Sequence, residues 1–348
     1  MPDDILKEVG ALSVKVRESI APEGLKEDLT IRLGQLSKLT NSPTFLPEFD
    51  RIERYIDWVT ALPWNKRTED NLNLDNARSI LDKNHYGLAD IKNRILEYIS
   101  VMKLKQEKGE GHEFLRAPVL CFVGLVGTGK TTIALSIAEA LGRKFYRIPF
   151  GGMEDPLDLR GQSRMQPESE PGKVIKALRA TQSKNPVILL DEVDRVTDVG
   201  RASIMGVLVE LLDPEQNYAY TDYYIDYPFD LSEVLFIATA NNTHHISTAV
   251  LDRLEPIGMP SYSDEEKITI AKEYMLPKIL ESSGIPQGAI NFREDVWPVI
   301  VRPLGFDAGT RTLERTIGGV VRKAAKMMVE GKGESFEITT ENYKQFLA

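Results

Sequence analysis

Eight consecutive residues, Gly124-Leu125-Val126-Gly127-Thr128-Gly129-Lys130-Thr131, fit the pattern G-x-x-x-x-G-K-[ST] without a gap. The chemistry that such a run can do is phosphate binding. Glycines let the backbone turn tightly enough for successive N–H groups to face phosphate oxygens, and a helix N-terminus behind them adds partial positive charge. Lys130 is then placed to reach the β and γ phosphates, and the Thr131 hydroxyl to ligate Mg²⁺. A second pair, Asp191-Glu192, closes the apolar run Val187-Ile188-Leu189-Leu190. Asp191 suits a Mg²⁺ held partly through water, and Glu192 suits a base that orients the attacking water. Together with the glycine loop upstream, the pair points past nucleotide binding to ATP hydrolysis. Asn241 closes another apolar run, Phe236-Ile237-Ala238-Thr239-Ala240. An amide there can hold a nucleophilic water, or it can simply cap a turn. Arg253 and Arg311 each follow an expected loop, where a guanidinium can neutralise charge on a γ phosphate or remain an ordinary surface arginine.

These side chains need a frame. Val119 to Val123 reads as a buried strand before the glycine loop, and Ile133, Ala134, Ile137 and Leu141 form one face of a helix behind it. Further runs at Phe145–Pro149, Val187–Leu190 and Val234–Thr239 alternate with helical stretches. The pattern predicts an α/β fold with a parallel sheet flanked by helices, whose C-terminal edge would carry Asp191 and Glu192. From Ser263 helical periodicity dominates, over Glu265–Leu280, about Val296–Val301 and Arg311–Val329, and the tail from Ser335 adds a short strand and a last helix. Residues 1 to about 62 read as short helices divided by Pro22, Pro43 and Pro47, the last with an apolar face of Ile52, Tyr55, Ile56, Val59 and Leu62. A polar linker over Pro63–Asn73, a helix through Leu88, Ile91, Ile95, Ile99 and Met102, and a loop at Gly109–Gly111 lead into the sheet. The expected division is a helical segment over 1–65, a nucleotide-binding α/β domain over 66–262 and a small helical lid over 263–348.

Composition narrows the class. The 348 residues are 42% hydrophobic and 27% charged, the balance of a globular protein, and no run approaches the roughly 20 apolar residues of a membrane span. A single cysteine, Cys121, excludes an internal disulfide framework and a cysteine zinc cluster, and its place in a strand marks it as a buried small hydrophobe. The formal net charge of −9 argues against a nucleic-acid-binding surface. The acidic start Met1-Pro2-Asp3-Asp4 is unlike a signal or transit peptide, so a cytoplasmic location is expected.

The glycine loop, the paired acids, Asn241, Arg253 and a helical lid with Arg311 together resemble the AAA+ ATPase module. More narrowly, the chain is similar to the ATP-dependent Lon protease family in Trp58–Trp64 (WVTALPW), His85-Tyr86-Gly87-Leu88, Leu211–Asn217 (LLDPEQN), Leu251–Leu254 and Gly309–Arg315 (GTRTLER). The likeness runs from about residue 50 to the C-terminus. It implies that Gly124, Gly127, Thr128, Gly129, Lys130, Thr131 and Thr132 hold the ATP or ADP phosphates, with Thr131 and Asp191 toward Mg²⁺. It implies further that Asn241 is the first sensor, Arg253 the finger reaching a neighbouring subunit, Arg311 the second sensor, and His85, Tyr86 and Gly87 the adenine contacts. A homohexameric ring that unfolds and translocates unfolded or damaged proteins is the implied assembly.

Two departures qualify the resemblance. Lon proteins carry a serine protease domain with a Ser-Lys dyad beyond the lid, and this chain ends about where that domain would begin, so the dyad is expected in a longer parent protein, with a stand-alone ATPase as the alternative. In the segment Gly161–Gly172 the family places an aromatic and an aliphatic residue on a loop that grips the translocating chain; here Gln166, Pro167 and Glu168 stand instead. That exchange predicts weak gripping or a preference for basic chains, and it raises as an alternative a nucleotide-gated scaffold that does not thread substrate. A DNA-associated switch receives little support from the acidic balance.

Overall fold

The computed structural model of the chain describes residues 2–39, 42–108, 118–166, 168–302 and 309–347. Five helices come first: α1 (Pro2–Glu18), α2 (Glu23–Leu36), α3 (Phe45–Ala61), α4 (Leu74–Asn84) and α5 (Ala89–Glu107). The α/β segment follows with β1 (Val119–Val123), α6 (Lys130–Leu141), β2 (Phe145–Pro149), α7 (Leu157–Arg160), α8 (Lys173–Thr181), β3 (Val187–Asp191), α9 (Arg201–Leu212), β4 (Tyr220–Thr221), β5 (Pro228–Phe229), β6 (Leu235–Ala240), α10 (Thr248–Leu251) and β7 (Leu254–Gly258). The C-terminal part holds α11 (Asp264–Ile270), α12 (Leu276–Ser282), β8 (Ile290–Phe292), α13 (Trp297–Val301), α14 (Arg311–Val329), β9 (Phe336–Ile338) and α15 (Tyr343–Phe346). The predicted loop at Gly109–Gly111 lies outside the described residues.

Two units emerge, one of residues 1–72, 99–121 and 138–256, the other of residues 73–98, 122–137 and 257–348. The main sheet has the order β2-β3-β6-β1-β7. β2 runs parallel to β3, with Phe145 opposite Val187 and Pro149 opposite Asp191, and β3 runs parallel to β6, with Val187 opposite Leu235. Every residue of β3 and β6 is buried, the signature of central parallel strands covered on both faces, which explains their continuous apolar sequence. Cys121 is buried, and burial pushes its thiol up to about 12, so it packs as a hydrophobe as expected.

The edge strand β7 escaped the sequence pattern. Its residues Leu254-Glu255-Pro256-Ile257-Gly258 are mostly exposed or half-buried, and a proline with no N–H to donate is tolerated at an edge. Pro47 is a second correction: it sits in the first turn of α3 and does not divide two helices, because the N–H groups of that turn have no intrahelical partner to lose. The N-terminal helices bury one stripe each, such as Leu25, Leu29, Leu33 and Leu36 of α2. Tyr55 ties them to the rest of their unit by donating its hydroxyl to the Ile225 carbonyl at 2.7 Å.

In the second unit the region beyond Ser263 is helical, as predicted. Ser263 caps α11 by accepting from the Glu266 N–H while the Glu266 carboxylate accepts from the Ser263 N–H, a reciprocal cap. One π-type turn over Ala271–Met275 joins α11 to α12, which starts at Leu276-Pro277. Trp297, Ile300, Leu313, Ile317, Val321 and Phe346 lie in a continuous apolar core. The expected tail strand and last helix are β9 and α15. β9 finds its partner in β8, a parallel neighbour of three residues too short to leave a period-two signal.

Candidate functional site

The phosphate-loop motif adopts the geometry that its glycines permit. Gly127 and Gly129 have φ of 83° and 94°, a left-handed backbone that disfavours side chains, and Lys130 opens α6 immediately afterwards. Thr128 is buried and donates its hydroxyl to the Leu125 carbonyl at 2.9 Å, and Thr132 donates to Gly129 at 2.9 Å. Lys130 is buried too, its Nζ donating to the carbonyls of Gly124 (2.6 Å) and Leu125 (2.9 Å). Its ammonium is thus held inside the curve of its own loop. Thr131, half-buried, is the second residue of α6.

The loop is braced from the C-terminal region of the same unit. The Met259 N–H donates to Val123 at 2.7 Å, and a Cβ on Gly124 would come within 2.7 Å of the Met259 carbonyl oxygen. Tyr262 donates its hydroxyl to the Thr128 carbonyl at 3.2 Å. Thr310, the residue before α14, gives both its N–H (3.1 Å) and its hydroxyl (3.2 Å) to the Gly127 carbonyl. Gly309 packs so closely that a Cβ there would stand 2.3 Å from the Val126 oxygen. Arg311, exposed, therefore begins α14 one residue from a backbone contact with the phosphate loop.

His85, Tyr86 and Gly87 follow α4. His85 is buried with Nε2 2.9 Å from the Ser136 hydroxyl on α6, and burial first, then the charges of Lys92 and Lys278, lower its pKa from 6.5 to about 4. It is a neutral imidazole at pH 7, directed at α6. Tyr86 meets Tyr274 edge to face at 6.3 Å, and Gly87 takes a φ of 61°.

The acids belong to the first unit. Asp191 ends β3 and is buried. Arg147 of β2 donates to its Oδ2 through Nε at 2.6 Å and pairs with the same oxygen through its terminal nitrogen at 2.5 Å, while the buried Thr239 hydroxyl of β6 donates to its Oδ1. The Glu192 N–H donates to the same Thr239 oxygen at 2.9 Å. Glu192 has a φ of 58°, unusual for a residue with a side chain, which turns the chain sharply after the strand. Its carboxylate lies 3.6 Å from Arg195. Asn241 follows β6 and is half-buried. Arg253 lies against its own chain: it pairs with Asp213 at 2.7 Å and donates to the Ala249 carbonyl at 2.8 Å, and the hydrogen bond from its guanidinium is the leading cause that lowers the Asp213 pKa.

The segment 161–172 is closed at its base by a buried carboxylate. Asp222 accepts from the N–H groups of Gly172 (2.7 Å), Tyr224 (2.8 Å) and Ile225 (3.0 Å). A Cβ on Gly172 would lie 1.9 Å from the Leu159 oxygen. Arg164 stacks over the Tyr55 ring, 3.9 Å from its centroid, and pairs with Asp226 at 3.1 Å. Met165 is 81% exposed beside it. Pro167 lies outside the described residues; Gln166 and Glu168 flank it.

Motif reading gave no role to several of these partners: Arg147, Thr239, Ser136, Tyr262 and Thr310. Thr239 left the clearest trace, a hydroxyl inside an otherwise apolar strand.

Residues 120–259 match the ATPase family associated with various cellular activities (AAA), and residues 281–336 match the Lon protease AAA+ ATPase lid domain. Among curated relatives, a Lon protease of Halothermothrix orenii is 42% identical over 333 residues, 96% of this chain and 41% of that protein. A Lon protease of Lawsonia intracellularis is 40% identical over 344 residues, covering 99% and 40%, and Lon protease 2 of Thermus thermophilus is 44% identical over 301 residues, covering 85% and 37%. The chain spans about two fifths of the length of these relatives. With an AAA+ α/β fold, a Lon lid and this likeness along nearly its whole length, the chain belongs to the Lon protease family.

Proposed function

We propose that this chain hydrolyses ATP, as the motor portion of a Lon-type protease. One observation carries the reading: two left-handed glycines curl the backbone into the N-terminus of α6 and set a buried lysine at the centre of that curl. The donor chemistry fits Mg²⁺, since Thr131 and Asp191 offer only hard oxygens, and such ions take their remaining ligands from phosphate and water. Among the described residues no group of three or more His, Cys, Asp and Glu competes for a metal. Bound there, Mg²⁺ supplies charge against the β and γ phosphates.

In this mechanism Gly124, Gly127, Thr128, Gly129 and Thr132 line the phosphates, and Lys130 moves from its carbonyls to the γ phosphate. Glu192 accepts a hydrogen bond from the attacking water and aims it in line, while Asn241 holds the same water. Arg253 leaves Asp213 to face the neighbouring subunit's nucleotide, and Arg311 couples the lid to the γ phosphate. Tyr86 and Gly87 border the adenine, with His85 behind them. Residues 1–65, 66–262 and 263–348 are the functional divisions. A homohexameric cytoplasmic ring, unfolded or damaged protein substrates and a serine protease domain in the parent protein complete the proposal. Glu168 and Glu170 beside the substituted loop position favour basic over neutral unfolded chains.

The test is steady-state phosphate release with wild type and Glu192→Gln. Turnover that vanishes in the variant while ATP still binds supports the motor. Binding without any turnover in the wild type would leave the scaffold reading in its place.

A further inference from the structure

The hydroxyl of Thr239 has no place in the mechanism above, yet it joins the two acids that do. Thr239 is fully buried in β6, in the sequence Leu235-Phe236-Ile237-Ala238-Thr239-Ala240. A valine has nearly the same shape and suits a central strand at least as well, so burial alone gives no reason for a hydroxyl there. The hydrogen bonds do. The oxygen accepts from the Glu192 N–H at 2.9 Å, and its proton is donated to Asp191 Oδ1. Both capacities of one hydroxyl are used within a single turn of chain.

We propose that Thr239 is a positioning residue that locks Asp191 and Glu192 as one unit, so that the metal-holding carboxylate and the water-orienting carboxylate keep a fixed mutual geometry. This rests on the ATP-hydrolysis reading. Glu192 is in the left-handed region, which a side chain adopts only when its surroundings hold it there. The Thr239 oxygen supplies that hold at the amide. Arg147 fixes Asp191 Oδ2 from the opposite strand, so the carboxylate is gripped at both oxygens by neighbours on either side of β3. Removing the hydroxyl takes the acceptor from a part-buried N–H at Glu192, frees its backbone to relax, and deprives Asp191 of the bond at Oδ1.

The test compares wild type, Thr239→Val and Thr239→Ser. Thr239→Val is expected to lower kcat for ATP by about tenfold to a hundredfold while KM stays within about twofold, because positioning is lost and phosphate binding is not. Thr239→Ser restores the hydroxyl and is expected to recover kcat to within about threefold of wild type. Amide hydrogen exchange adds a readout independent of turnover: the Glu192 N–H is protected in wild type and Thr239→Ser and exposed in Thr239→Val. A rapidly exchanging Glu192 amide in the wild type overturns the proposal even if Thr239→Val cannot be folded. So does a Thr239→Val protein with wild-type kcat, or a serine variant as impaired as the valine one. A wild type that takes up no ATP instead defeats the hydrolysis reading, an outcome the ATP titration detects by itself.

Discussion

Lys130 illustrates what a charge does when its sequence neighbours shelter it. Its two carbonyl partners are within its own loop, so the ammonium is desolvated yet ready to be transferred to a better acceptor. Lys130→Met removes that transfer, and ATP affinity measured by titration is expected to fall at least about thirtyfold, the loss of one charged hydrogen bond of roughly 2 kcal/mol. His85 yields a prediction of a different kind. Its folded pKa of about 4 lies below the ordinary 6.5, so the unfolded chain takes the proton first. Stability from this group is complete above pH 6.5 and is lost as pH falls toward 4, by up to about 3 kcal/mol. Urea midpoints at pH 7 and pH 4.5 are expected to differ less in His85→Gln than in wild type. At this scale Gly127, Gly129, Lys130, Asp191 and Glu192 were legible because a backbone turn, a charge and a strand end each demand a particular residue type. Arg147, Ser136 and Thr310 were not, since an ordinary arginine, serine or threonine acquires meaning only from the partner that folding brings to it.

The elements show where pattern succeeds and where it thins out. β3 and β6 were readable as unbroken apolar runs because both their faces are covered. β7 was not, since an edge strand has no need to be apolar, and β8 has only three residues to display a period. α3 kept its proline because the first helical turn has donors to spare. The segment 161–172 depends on contacts that its own residues could not announce, above all Asp222 some fifty positions later. Gly172→Ala is expected to destabilise the fold by about 2 kcal/mol or more, measured as a lower urea midpoint, since a methyl group has no room beside the Leu159 oxygen. The same substitution at Gly10, where nothing lies within 4 Å of the added carbon, is expected to be neutral or mildly stabilising.

For the molecule as a whole, Arg253 connects the chain to its proposed assembly. It is engaged with Asp213 and Ala249 of its own subunit, so a role toward a neighbour requires those bonds to be exchanged when subunits meet. Specific ATPase activity is therefore expected to rise with protein concentration, in step with mass by light scattering. Arg253→Ala is expected to flatten that rise while leaving ATP uptake in place. A rate independent of concentration in a monomeric protein would contradict the ring. The meeting of Gly309 with Gly127 has its own consequence. Peptide rests on peptide there, with no rotamer between them to absorb a displacement. Tilting α14 at its first residue would thus tug directly on the carbonyl that shapes the nucleotide cradle, making this junction a stiff mechanical linkage whose gain any added side chain would spoil.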